Sequence, residues 1–143
     1  MTIRAMTLAD YDAVIAMMRA TPGITVRDAD SREATQAYLA RNPGCSFVAE
    51  INDQVVGCIM AGHDGRRGYL QHLIVLPAHR RMGIATGLVQ ASLARLAQDG
   101  VHKFHVDVVI GNDTAARYWE SLGWQCRNDI QRYSFAVAGN VNA

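Results

Sequence analysis

Hydrophobic and polar positions follow two periods along this chain, and the switches between them mark out its elements. Residues 2–6 alternate and predict a short edge strand. Leu8, Tyr11, Val14, Ile15 and Met18 then recur at helical spacing to about Ala20, behind Thr7 as N-cap, and Thr21-Pro22-Gly23 stops the run. Asp30 and Glu33 have capping-box spacing and predict a second helix to Arg41, ended by Asn42-Pro43-Gly44. Period two returns at 46–51 and 54–62, joined by the tight turn Asn52-Asp53, with Gly57 as a bulge or close-approach point. A further strand is predicted at 69–76. A helix follows over 82–98, with Ile84, Leu88, Leu93 and Leu96 as its apolar stripe and Gly100 past its end.

The last third continues the alternation. Residues 102–109 read as a strand with Phe104, Val106 and Val108 on one face and His105, Asp107 and Val109 on the other. Asn112-Asp113 predicts the start of a helix over 114–122, ended by Gly123, and 124–126 and 131–137 read as two closing strands. The order β-α-α-β-β-β-α-β-α-β-β predicts an α/β (mixed α+β) domain over residues 1–138, with 139–143 as a tail. Its centre is one mixed, mostly antiparallel, twisted sheet of about seven strands with helices on both faces.

Composition adds mainly exclusions. The 143 residues suffice for one core, 50% are hydrophobic, and the net charge of +1 gives no electrostatic case for nucleic acid or an anionic membrane. No apolar run reaches the roughly 18 residues of a membrane span, and the first residues lack the pattern of an export signal. Cys45, Cys58 and Cys126 are odd in number and far apart. They read as reduced thiols of a cytoplasmic protein rather than as a disulfide framework or a zinc site.

The chemistry concentrates in Leu73-Ile-Val-Leu-Pro-Ala-His-Arg-Arg-Met-Gly-Ile-Ala-Thr86. A buried strand runs into a basic loop with one glycine and then into a helix. First-turn N–H groups have no partner within the helix, and the helix dipole adds partial positive charge, so phosphate oxygens fit there. Gly83 allows close approach of a phosphate to the main chain, and Arg80 and Arg81 add full charges. The same pattern also fits a plain strand–loop–helix connection with two solvated arginines. It is neither a Walker A loop nor a dinucleotide fingerprint.

Three blocks together resemble the GNAT superfamily of N-acetyltransferases: 48–62; Val75-x-Pro77 with Arg80-x-x-Gly83-x-Ala85; and Asn112-Asp-Thr-Ala-Ala-Arg-Tyr-Trp-Glu-Ser-Leu-Gly-Trp124. The resemblance covers nearly the whole chain and is weakest at 21–30. It implies an acetyl-CoA-dependent N-acetyltransferase acting by direct attack of a primary amine in a ternary complex. The alternative is a CoA-binding regulatory or interaction module with weak or no catalysis. Leu73, Ile74 and Val75 would pair with the pantetheine arm and supply an oxyanion donor. Arg80, Arg81, Met82, Gly83, Ile84, Ala85 and Thr86 would hold the pyrophosphate, and Asn112 would contact pantetheine or an ordered water. The strands at 69–76 and 102–109 would splay to admit the thioester.

Three residues are candidates for the chemical step. Asp107 stands where some members carry a glutamate base, one methylene shorter here. His72 lies beside the slot, and imidazole exchanges protons near neutrality. By simple alternation its face is opposite that of Gln71 and Leu73. Trp119 occupies the position of the tyrosine acid of many members. Indole cannot transfer a proton at neutral pH, so Trp119 would pack against pantetheine while the thiolate leaves unaided, or Tyr69 or water would supply the proton. No metal is implied. The acceptor stays open among a small-molecule amine, an amino acid and a peptide N-terminus, and the family makes a homodimer plausible.

Overall fold

The computed structural model describes residues 1–143. They form two compact units, Met1–Val106 and Asp107–Ala143. The first contains β1 (Thr2–Ala5), α1 (Tyr11–Ala20), α2 (Arg32–Arg41), β2 (Phe47–Ile51), β3 (Gln54–His63), β4 (Gly68–Val75), α3 (Ile84–Gln98) and β5 (Phe104–Val106). They build one mixed sheet in the order β1-β2-β3-β4-β5. The first three joints are antiparallel, and α3 carries the crossover to the parallel pair β4–β5.

Helices cover both faces of this sheet, as the alternation of its strands requires. On one face Val14, Met17 and Met18 of α1 pack with Met6, Val48, Cys58, Met60 and Ile74. Burying a large aliphatic side chain is worth about 2 kcal/mol, so this cluster is a principal source of stability. On the other face α3 lies against the sheet backbone at Gly57. A Cβ there would come within 3.1 Å of the Ile74 carbonyl oxygen and 3.3 Å of Ile84 and Leu88. Gly57 is thus the close-approach point its place in the strand predicts. The interior stripe of α3 is Ile84, Leu88, Val89, Ser92 and Leu96, so Ser92 rather than Leu93 occupies the inner position.

Local chemistry explains the element ends. Asn52 and Asp53 both have positive φ, 51° and 62°, which is the geometry of a two-residue hairpin turn that follows strand twist. Past α3, the Gly100 N–H bonds the Ala97 carbonyl and the Val101 N–H bonds the Leu96 carbonyl, a Schellman ending with Val101 buried beside Leu96. Helix α2 departs from expectation. Its N-cap is Ser31, whose hydroxyl accepts from the Ala34 N–H at 3.1 Å, and this leaves Asp30 outside the helix for another use. Asp10 is likewise outside α1. It is buried, accepts the Thr7 N–H at 2.9 Å, and takes a bidentate bond from Arg4 at 2.7 and 2.9 Å. Arg4 also binds Glu50, so one guanidinium ties β1 to β2 and to the entrance of α1.

In the second unit, α4 (Asp113–Ser121) is capped by Asn112, whose side chain accepts from the Ala115 N–H at 3.1 Å. Its other end is again a Schellman turn. The Gly123 N–H bonds the Glu120 carbonyl, the Trp124 N–H bonds the Trp119 carbonyl, and the two indoles meet at 4.8 Å. The strands expected at 124–126 and 131–137 are absent, so the sheet has five strands rather than about seven. Trp124 is spent on closing the helix. Tyr133 and Phe135 alternate as a strand would, yet they are about nine-tenths exposed, at 87% and 91%. Alternation supplies a face, but a strand exists only where its main chain finds a ladder, and no sequence pattern guarantees that.

Candidate active site

The site begins where β4 parts from β5. Their ladder holds only Gly68–Phe104, Tyr69–His105 and Leu70–Val106, because β5 ends at Val106. From Gln71 to Val75 this edge of β4 has no strand partner. An open row of N–H and C=O groups can accept an extended chain in place of a strand.

The strand itself is irregular there. Cys58 pairs with Ile74 and Met60 with Gln71, so His72 and Leu73 together oppose Ile59 alone. This is a β-bulge, and His72 carries its strain with φ of 53°. The bulge inverts the alternation of β4. Leu70 pairs with Ala61, which lies on the α3 face, whereas Ile74 pairs with Cys58 on the α1 face. Gln71, opposite Met60, is on the α1–α2 face, as is Tyr38 of α2, whose hydroxyl pKa is raised chiefly by burial. His72 turns to that same face. Strict alternation puts it opposite Gln71, and the extra bulge residue is the reason it is not.

His72 meets Asp30 there, with Nε2 at 3.1 Å from Oδ1. A carboxylate only accepts, so Nε2 carries the proton of this bond, and in the neutral imidazole the lone pair then lies on Nδ1. The carboxylate is held in turn: Oδ2 accepts the Arg27 N–H at 2.9 Å, and the Asp30 carbonyl accepts the Tyr11 hydroxyl at 2.6 Å. The Cys58 thiol reaches the His72 carbonyl at 3.4 Å, and burial pushes its pKa up to about 12. In the sequence Asp30 reads as a capping residue and, with Asp28 and Glu33, as one of the acidic residues near the acceptor pocket. The signal available in the sequence was Ser31 beside it, the better N-cap, which frees the carboxylate.

Beyond Val75 the chain makes a short turn, Pro77–His79, and Arg80 folds back so that its Nε donates to the Val75 carbonyl at 3.2 Å. Arg80, Arg81, Met82 and Gly83 are all exposed. Arg81 has φ of 63° and Gly83, the N-cap of α3, has φ of 76°, so two left-handed residues wind the main chain round the head of the helix. The helix starts at Ile84 rather than at Met82. Its first bond back to the cap runs from the Gly87 N–H to the Gly83 carbonyl at 3.0 Å. Successive N–H groups in turn conformations of this kind form anion-binding concavities. A Cβ on Gly83 would meet nothing within 4 Å, so glycine is needed there for its φ and not for lack of room within the protein.

The remaining candidates lie in the second unit. Asp107 follows the end of β5 instead of lying within it. It is exposed and bound to Arg132 at 2.7 Å, a partner that nothing in the sequence pattern indicates. Asn112 is the N-cap of α4. Trp119 is buried, edge-on to Tyr118 at 5.5 Å and to Trp124 at 4.8 Å. No group of three or more His, Cys, Asp or Glu side chains is placed to hold a metal, and no helix is long and apolar enough to cross a membrane.

The sheet opens here beside a strained stretch of β4, and the glycine-capped head of α3 that follows presents main chain that can receive an anion. The chain matches the Acetyltransferase (GNAT) family over residues 11–124 and belongs to it. An acetyltransferase of Pectobacterium atrosepticum is 31% identical over 125 residues, spanning 87% of this chain and 88% of its own. Among solved structures, an aminoglycoside 6'-N-acetyltransferase from Acinetobacter haemolyticus superposes with TM-score 0.75 at 22% identity, covering 96% of this chain and 99% of that one. The PaiA N-acetyltransferase from Thermoplasma acidophilum, in complex with coenzyme A, superposes with TM-score 0.77 at 16% identity, covering 88% and 90%. At these identities the two structures share the fold.

Proposed function

We propose that this protein is an acetyl-CoA-dependent N-acetyltransferase that acetylates a primary amine by direct attack in a ternary complex. The observation that carries the reading is the continuous segment from the open edge of β4 to the left-handed cap of α3. Leu73, Ile74 and Val75 would bind the extended pantetheine arm through main chain, and a main-chain N–H there would hold the thioester oxygen as negative charge builds on it. Arg80, Arg81, Met82, Gly83, Ile84, Ala85 and Thr86 would hold the diphosphate by main-chain N–H groups and cationic side chains. The Thermoplasma neighbour's bound coenzyme A supports the choice of donor.

The acceptor is a small-molecule amine, an amino acid or a peptide N-terminus, bound near residues 21–30. The amine must lose a proton to attack, and His72 serves as base in this reading, since Asp107 is engaged by Arg132. The departing thiolate needs no strong acid, because an ordinary thiol has a pKa of about 8.5. Trp119 then has a packing role, consistent with its burial. Calorimetric titration with acetyl-CoA, with desulfo-CoA beside it, tests the donor site. Thiol release with a panel of amines tests turnover. One-site binding with amine-dependent release supports the proposal, binding without release with any amine leaves a CoA-binding module, and absence of binding refutes both.

A further inference from the structure

We infer that Asp30 is a positioning residue for the acetyl transfer: it fixes the His72 imidazole in the Nε2–H tautomer so that Nδ1 takes the proton of the incoming amine. The inference rests on the acetyltransferase reading for its reaction and on the geometry for the rest.

Four features converge on the pair. Asp30 belongs to the segment between α1 and α2, whereas His72 is 42 residues away on β4, so only the tertiary fold joins them. The joint is stiff at both ends. Asp30 is held by the Arg27 N–H and, through its own carbonyl, by the Tyr11 hydroxyl. His72 is held by a bulge that costs backbone strain, on the order of 1–3 kcal/mol for a residue in a sparsely populated region. The side chains of Asp30 and His72 are only 11% and 20% exposed, so water competes poorly for their hydrogen bond. Nδ1 has no partner within the protein. A strained residue aimed at a buried carboxylate, with its other nitrogen left open, is the arrangement of an oriented base.

The proton and electron balance is simple. Nδ1 accepts one proton from the ammonium form of the amine. The amine lone pair forms the C–N bond to the thioester carbonyl carbon. Collapse of the tetrahedral adduct breaks the C–S bond, whose electron pair leaves on sulfur. The second amine proton passes to that thiolate, and the imidazolium, stabilised by the Asp30 carboxylate, releases its proton to solvent. The charged and titratable neighbours are Tyr11 of α1, Arg27 and Asp28 of the connecting segment, Tyr38 of α2, Cys58 of β3, and Arg32. Arg32 lies 5.0 Å over the Tyr11 ring and pairs with Asp12 at 3.0 Å. None of them touches Nδ1.

The test has one arm that needs no acceptor. Nitrogen NMR of the wild-type imidazoles across pH reports the His72 tautomer. Protonated Nε2 with unprotonated Nδ1 is expected, and the reverse tautomer overturns the proposal without any variant. Asp30→Asn is expected to lose that preference, because an amide can also donate, and Asp30→Glu to restore it in part. The second arm follows thiol release from acetyl-CoA with kanamycin, spermidine and glycinamide as probes. Asp30→Asn should lower kcat about 100-fold, leave the calorimetric Kd for acetyl-CoA unchanged and displace the pH profile of kcat/KM, with partial rescue in Asp30→Glu. An unchanged profile in Asp30→Asn overturns the proposal. Tight acetyl-CoA binding with no release for any probe counts against the acetyltransferase reading alone, and the tautomer then decides the geometry by itself.

Discussion

Replacement of Gly83 by alanine, glutamine and glutamate separates the two properties that make the head of α3 an anion site. Gly83 has φ of 76°, and a Cβ there meets nothing within 4 Å, so alanine introduces backbone strain without a clash. That strain is about 1 kcal/mol. It should lower stability by that amount and weaken acetyl-CoA no more than about fivefold. Glutamine adds bulk at the place where the diphosphate would lie. Glutamate adds the same bulk and one negative charge. Two unit charges about 4 Å apart repel by about 4 kcal/mol at an effective dielectric of 20 and by about 1 kcal/mol in bulk water. Gly83 is exposed, so the excess of glutamate over glutamine should fall between these limits, at about 2–3 kcal/mol, or about 30- to 150-fold in Kd. Calorimetry with acetyl-CoA at low and high salt reads the series directly. The glutamate–glutamine gap should shrink as ionic strength rises, since exposed charges are screened. Equal Kd values for the glutamine and glutamate proteins would show that no phosphate lies against this turn, and the cradle would have to be abandoned.

Three further outcomes follow from the geometry. Asp107→Asn should leave amine-dependent thiol release within about twofold of wild type, since Asp107 is exposed and bound to Arg132, and a loss of about 100-fold would transfer the base role to it. The hydrogen bond from Arg4 is the largest cause that holds the Asp10 carboxyl below its ordinary value. Its contribution is therefore full above the unfolded value of about 3.9 and disappears as pH falls through the lower folded value. Asp10→Asn should accordingly cost about 2 kcal/mol at pH 7, with the gap to wild type closing toward pH 2 in denaturant titrations. In thiol labelling of the folded protein Cys126 should react first because it is exposed. Burial raises the pKa of Cys45, and Cys58, fully buried with its pKa at about 12, should stay silent until the protein unfolds.

Much of this protein is written in its local patterns. The tight Asn52-Asp53 turn, the glycine that ends each of the last two helices, the close approach at Gly57 and the loop from Val75 to Thr86 each depend on residues near one another in sequence. Their conformations follow from sterics and main-chain hydrogen bonding within a few positions. What the tertiary structure decided is of another kind. The Gly68–Leu70 ladder stops where β5 ends, the bulge at His72 reverses the direction of a side chain, and Asp30 leaves helix α2 to meet that side chain from 42 positions away. The strand-like alternation of residues 131–137 found no ladder, and Asp107 found Arg132. Periodicity specifies which face a residue would present if its element formed in register. It does not say which register wins, because register is set by the sum of distant contacts, and a single extra residue in a strand is enough to turn a histidine toward a different partner.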